Sequence, residues 1–410
     1  MADTLGTNNT GYSYPGATYW RKGVYTLPDE ALWMQTADRL VLAPFIGKEG
    51  SGLPFITKNE TVKKKTDTIR LEMGGRLTGM GVFGNKALEG SEVAIPQYYA
   101  DVYVNQIRQA WKDDGEMSRF RSRRDLKAMG IKALGTWMAE QIERYIFNAI
   151  EFKYAPNILS DTAYGYGYGV NAEVGTACKN WFCADGSNNN PTYSATPATF
   201  TAAISAAEVL LTNSEEDFFG PNVLEGVANK TKTLFFDPVQ YKGFSGTIGF
   251  IHPNQTSQLR KNSDWFLANI HAMPPGENNN PIFTGRLANM AVGMWGDIML
   301  FESTLVHSGN LSYYTDLLVT QSGNAQLEID SNAASVYRAI FCGANAMAIA
   351  EAVALHLEYK DDFDYNDKTG VACSSILGIQ RPDFTSDDSN ATLINQSSMV
   401  VSTYSPAAQT

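Results

Sequence analysis

The chain has 410 residues, enough for roughly two or three domains of ~150 residues that each bury a core. Its formal net charge of −11 excludes a protein that grips nucleic acid through a strongly basic surface, since such affinity comes from neutralising phosphates. Cysteines at 178, 183, 342 and 373 form neither a disulfide framework nor a paired zinc spacing, so they are expected as free thiols in a reducing compartment.

The start, Met1-Ala2-Asp3, lacks both a basic segment and a following apolar run, which predicts a chain that stays in the cytosol. Residues 1 to 50 are rich in Gly, Thr, Asn and Tyr, with one short helical candidate at Asp29 to Leu42. Such a segment cannot bury enough surface on itself to offset its ordering entropy, so it should order only against a neighbour.

From Thr61 to Val104 the pattern turns β-like, with alternation in Thr66 to Leu71 and in Ala100 to Val104, and the glycines between mark a long hairpin. Lys63, Lys64 and Lys65 lie at its base beside Lys58 and Arg70, while Glu72, Glu89 and Glu92 lie beyond. This charge separation suits head-to-tail pairing of identical subunits; solvated edge lysines that discourage wrong pairing are the equal alternative. Gly79, Gly81 and Gly84 match a dinucleotide-binding spacing, but no helix opens after them and Pro96 interrupts the place for one.

Glu116 to Phe152 reads as one long helix. One apolar file runs through Leu126, Met129, Ala133 and Trp137, and a second through Leu134, Met138, Ile142, Tyr145 and Ala149. At ~1.5 Å per residue the helix would exceed ~50 Å. Gly130 and Gly135 each weaken it by ~1 kcal/mol relative to alanine, which calls for either close packing or a bend. Arg119, Arg121, Arg123 and Arg124 gather where the helix dipole disfavours positive charge, so acidic groups should face them. Asp113, Asp114, Glu116 and Asp125 offer local pairing; a subunit interface or a DNA contact is the other reading.

Residues 156 to 196 form a Tyr-, Gly- and Asn-rich stretch, read as a surface insertion that contacts other subunits. Thr196-Pro197 then opens a helix with Phe200, Ile204, Ala207 and Leu211 on one face. Strands are expected at Thr233 to Phe236 and Thr247 to Ile251, then a His252-Pro253 turn and a helix from Gln255 to Leu267. The most apolar run, Ala339 to Leu355, is interrupted by Asn345 and Glu351, falls short of the ~20 residues that span a bilayer, and is expected as a buried core segment. Ser397 to Thr410, uncharged and containing Pro406, should again depend on a neighbour for order.

No catalytic, cofactor-binding or metal-ligating set is legible. His252, His271, His307 and His356 stand in no metal spacing and beside no nucleophile motif, and read as structural. The run Asp361, Asp362, Asp364 and Asp367 lacks the glycine and closing glutamate of a calcium loop and reads as a solvated turn. Two alternatives remain on composition alone: a cytosolic hydrolase with paired carboxylates, and a carbohydrate-binding or fibre protein, although no internal repeat is present.

Seven segments in fixed order carry a resemblance: Gly74 to Gly81, Leu88 to Gly90, Asn105 to Ala110, Arg124 to Gly130, Phe250 to Arg260, Asn280 to Gly285 and Phe341 to Ala352. Together they resemble the major capsid proteins of tailed bacteriophages with the Hong Kong 97 type fold, most closely the branch typified by the podovirus N-four. The resemblance implies a mixed α+β fold without cofactor or metal. It assigns residues 1–50 to an amino-terminal arm, 51–104 to an extension loop, and 105–195 to a peripheral domain with a spine helix. It places an axial domain at 196–345 and a return to the peripheral domain with the tail at 346–410. It further implies self-assembly into hexamers and pentamers of an icosahedral shell around double-stranded DNA, with portal, scaffold or decoration proteins as partners and no membrane. In this family the spine helix changes curvature as the shell expands, which makes Gly130 and Gly135 hinge candidates.

Overall fold

A computed structural model describes residues 42–58 (except 49), 68–121 (except 75–80, 86–87, 91, 94 and 96), 126–152, 177–184, 197–272 (except 242–243), 291–306, 336–386 (except 366) and 397–405. The expected arm before Leu42, Lys63 to Lys65, Arg123 and Arg124, His307 and most of the 156–196 insertion lie outside these residues.

In chain order the elements are β1 (Ile46–Lys48), β2 (Phe55–Lys58), β3 (Thr68–Gly74), β4 (Gln97–Tyr103), β5 (Asn105–Lys112), α1 (Glu116–Arg121), α2 (Leu126–Phe152) and β6 (Trp181–Cys183). There follow α3 (Pro197–Val209), α4 (Pro221–Thr233), β7 (Val239–Tyr241), β8 (Phe244–Ile251), α5 (Pro253–Lys261), α6 (Ser263–Ala272), β9 (Ala291–Trp295) and β10 (Ile298–Glu302). The last are β11 (Val336–Cys342), β12 (Met347–Phe363), β13 (Lys368–Gln380), β14 (Thr385–Ser386) and β15 (Ser398–Tyr404).

A first sheet has the order β1-β2-β12-β13-β5, built on the long antiparallel hairpin β12–β13. Helix α2 lies against it: Leu134, Met138, Ile142 and Tyr145 join Leu355, Leu357, Val371 and Cys373 in one buried cluster. Of the two apolar files expected on this helix, the second is therefore the core face; the first is only partly covered, and Met129 is exposed. From Tyr145 to Phe152 every residue is buried, because the end of α2 runs between both sheets.

The second sheet has the order β6-β15-β11-β8-β10-β9, with β7 added to β8. Its strands read as continuous apolar runs because both faces are covered. Ile298, Leu300, Ala339, Phe341, Met399 and Val401 pack toward α4, α5 and α6. The alternate residues Met299, Phe301, Ile340 and Cys342 pack toward α2 and the first sheet. Phe250 is the hub, with ring centroids 5.6 Å from Phe45, 5.7 Å from Phe147 and 6.1 Å from Phe55. The segment at Leu42 to Lys48, expected as arm, is thus core: Leu42 and Phe45 are fully buried and β1 pairs in parallel with β2.

The tail expectation is corrected at Ser398 to Tyr404. β15 pairs along all seven residues with β11 and in parallel with β6, so it is an interior strand of its own subunit. The apolar alternation of Met399 and Val401 against Val400 buries both faces, leaving no need for a neighbour. Two further corrections fall on α4 and on the segment after β8. Thr233 ends α4, and Leu234 and Phe235 form the turn after it, with Phe235 at φ 54°, in place of the expected strand. The expected single helix to Leu267 breaks at Asn262, whose side chain caps α6 by accepting the Asp264 N–H at 2.9 Å.

Candidate assembly surfaces

Strands β3 and β4 form the hairpin that the alternation predicted. Ile69 faces Val102 and Leu71 faces Ala100, and Ile69, Leu71 and Val102 bury one side of the ribbon on Ala348 and Ala350 of β12. On the solvent side Arg70 stands opposite Asp101, donates to both its oxygens at 2.8 and 2.9 Å, and lies 4.3 Å over the Tyr99 ring. Arg70 is therefore occupied within its own hairpin, while Glu72 beside it is exposed.

Beyond Gly74 and Gln97 the described tip residues stand clear of the core. Phe83, Leu88, Val93 and Ile95 are all exposed, as are Glu89 and Glu92. The turn is fixed locally: Gly90, at φ 87°, donates its N–H to the Glu92 carboxylate at 2.7 Å.

After β5 the chain turns at Gly115 into α1. Here φ is +123°, and a Cβ would stand 2.5 Å from Asp367 Oδ2, so only glycine fits without strain. Asp367, in the turn between β12 and β13, accepts the Glu116 N–H at 3.0 Å and so caps α1 from across the sheet. Arg119 pairs with buried Asp113 at 3.0 Å and donates to the Asp367 carbonyl at 2.5 Å. Local pairing thus holds for Arg119, whereas Arg121 is exposed and, among the described residues, faces no carboxylate at ion-pair distance. The helix from Glu116 is described as two pieces, α1 and α2, because 122–125 lie outside the described residues.

At the two helix glycines, close packing accounts for Gly130, whose added Cβ would meet the Trp111 indole at 2.7 Å. Gly135 is buried on the same helix.

The acidic turn is more than solvated. Asp364 and Tyr365 take positive φ, and Lys368 bridges to Asp364 at 2.9 Å. That hydrogen bond, and then the Lys368 charge, lower the Asp364 pKa, the opposite of what a general acid needs. His252 accepts the Asn254 N–H at 3.2 Å as the cap of α5, and Gln255 closes the capping box. Burial lowers its pKa from 6.5 to about 4. His356 contacts Ser374 at 2.8 Å and the Ala354 carbonyl. All four cysteines are buried and free, and burial raises the Cys178 thiol.

Sequence reasoning missed the buried charges. Arg338 on β11 meets Glu151 of α2 at 3.1 Å and Glu208 of α3 at 3.0 Å, all three almost wholly buried. Ser402 of β15 donates to Glu208 at 2.7 Å and accepts from the Trp181 indole at 2.9 Å. Arg381 pairs with Asp383 and donates to the Ile150 and Glu151 carbonyls, so the last turn of α2 is held by two guanidinium groups. The available signal was a lone charge inside an apolar run, as in Val-Tyr-Arg-Ala-Ile-Phe at 336–341.

Among the described residues no helix is long and apolar enough to cross a membrane, and no group of three or more metal-ligating side chains comes together. What the fold does present is a hairpin whose described tip residues are exposed and a long helix clamped between two sheets.

The solved capsid of Ralstonia phage GP4 shares this fold, with a TM-score of 0.63 at 20% identity over 90% of this chain and 91% of that one. The Cyanophage Pam1 capsid gives 0.61 at 16% identity over 90% and 93%. The major capsid protein of Pseudomonas phage KPP25 is 24% identical over 377 residues, 86% of this chain and 88% of the relative. The architecture is thus the α+β, Hong Kong 97 type fold of phage capsids. Residues 25–407 match the phage capsid protein family, and the chain belongs to it: it is a structural protein of a phage head, not an enzyme.

Proposed function

We propose that this capsid protein is the major subunit of the icosahedral head of a tailed phage, assembling as hexamers and pentamers around double-stranded DNA in the bacterial cytoplasm. The observation that carries the reading is the β3–β4 hairpin, whose apolar, exposed tip has no core of its own to cover. Many weak identical contacts of this kind sum to a stable lattice. On this reading residues 1–50 hold the arm, 51–104 the extension loop with β3–β4, 105–195 and 346–410 the peripheral domain with helix α2, and 196–345 the axial domain, whose sheet also takes in β6 and β15. Portal, scaffold and decoration proteins complete the head. With a net charge of −11, contact with the packaged DNA is non-specific and local.

The test is negative-stain electron microscopy of the expressed full chain, with any co-encoded scaffold and a crowding agent supplied. Shells, tubes or hexameric rings are expected; a uniformly small, compact monomer or dimer overturns the reading.

A further inference from the structure

One face of α2 is incompletely covered. Opposite the core residues Met138 and Ile142, a file runs through Ala133, Trp137, Glu140, Arg144 and Asn148 at spacings of three and four. Ala133 and Glu140 are exposed, and Trp137 is only partly buried. Farther along the same file Arg144 Nε and Asn148 Oδ1 are buried, Asn148 being 8% exposed, and among the described residues neither atom has a hydrogen-bond partner. A buried donor and a buried acceptor in this state are costly. The face therefore calls for a cover that is apolar toward Trp137 and offers one acceptor to Arg144 and one donor to Asn148.

The chain carries such a segment next to the point where it enters the core. Leu42 is fully buried, and the Phe45 ring lies 5.6 Å from Phe250, which lies 5.7 Å from Phe147 of α2. Residues 29–41 lead directly into this point and lie outside the described residues. Their sequence has a helical pattern, with Pro28 ahead, Asp29 and Glu30 in the first turn, and Ala31, Met34, Asp38 and Val41 on one face. At ~1.5 Å per residue, Met34 and Asp38 stand ~12 and ~6 Å back from Leu42 along a helix. On α2, Trp137, Glu140 and Arg144 stand ~15, ~10 and ~4.5 Å back from Phe147 by the same rise. The heights match, and Asp38 and Arg39 are the acceptor and the donor that Arg144 and Asn148 require.

We propose that residues 29–41 lie as a helix along α2 of their own subunit, with Met34 over Trp137, Asp38 paired with Arg144, and Arg39 donating to Asn148. The stretch expected to order only on a neighbour then has a seat within its own chain, leaving residues 1–28 for contact with another copy. The direct tether to buried Leu42 holds the segment at its own helix at an effective concentration on the order of millimolar, which favours that helix over a neighbour's. The assignment concerns a single subunit and stands apart from the shell reading.

The test is the full chain carrying Met34→Cys with Glu140→Cys, positions of matched height, oxidised mildly and mapped by tryptic digestion and a non-reducing gel. Because the four natural cysteines are buried, the oxidation addresses the introduced pair. A disulfide within one chain is expected, in unassembled subunits and in assembled particles alike. A ladder of covalent multimers puts the segment on a neighbouring copy, and two maleimide-reactive thiols that form no disulfide put it away from α2; either result overturns the proposal. Should this variant not fold, Asp38→Arg should lower the urea midpoint of the unassembled chain, and added Arg144→Glu should restore it. An unchanged midpoint, or a loss without restoration, overturns the proposal.

Discussion

Gly130 in α2 offers a prediction whose sign reverses with its neighbour. An added Cβ would stand 2.7 Å from Cδ2 and Cε3 of the Trp111 indole, where carbon atoms ordinarily rest at ~3.5–4.0 Å. Gly130→Ala therefore sets two effects against each other. Alanine gains ~1 kcal/mol of helix propensity, but displacing the indole or the helix by about 1 Å costs ~1–3 kcal/mol. Overpacking wins or draws, so the substitution should lower subunit stability by up to ~2 kcal/mol. With Trp111→Ala in place the clash is gone and only the propensity remains, so the same substitution should raise stability by ~1 kcal/mol. Urea unfolding of the four unassembled chains closes the cycle, with an expected coupling of ~1–3 kcal/mol. An equal cost in both backgrounds would refute the packing argument and locate the effect in the helix backbone, as a bend at Gly130 requires.

Arg338→Met strips the cation from buried Glu151 and Glu208 and should cost ~3–5 kcal/mol in the same assay; a loss under ~1 kcal/mol would show the cluster to be dispensable. Deleting β15 exposes both β11 and β6 and should leave the chain insoluble, so a soluble, cooperatively unfolding product would contradict its interior placement. His252 has a folded-state pKa of about 4 against 6.5, so on acidification the unfolded chain takes up the proton first. Its contribution is full above pH 6.5 and lost on descending to about 4. His252→Asn keeps a cap and should flatten the stability-pH curve in that window, and an unchanged slope would assign it to other groups.

The sequence was most readable where structure is local. The two-residue alternation of Ile69 and Leu71 against Val102 and Ala100 is the inward face of the hairpin, and the file Leu134 to Ala149 is the buried face of α2. Phe200, Ile204, Ala207 and Leu211 all turned inward on or just after α3. What failed was non-local. Nothing near Ser398 announces that its partner is Cys342, and the uncharged composition of the tail suits a buried strand as well as a loose one. Asp367 looked like a solvated carboxylate because the helix it caps begins 251 residues earlier. Arg338, Glu151 and Glu208 are each unremarkable on their own elements and become a cluster only when three elements meet. Phe45 was misplaced because its ring partners, Phe250 and Phe301, belong to distant strands.

The central position of β15 also bears on the order in which the chain can fold as it is made. While a chain is still being translated, β11 lacks its partner at all seven positions, and Arg338 lacks the cover of Ser402 over Glu208. The second sheet stays open at that edge until residues 398–404 leave the ribosome. Chains arrested before Ser398 should accordingly remain sensitive to protease across β11. A lattice that selects finished surfaces should therefore draw on completed subunits only.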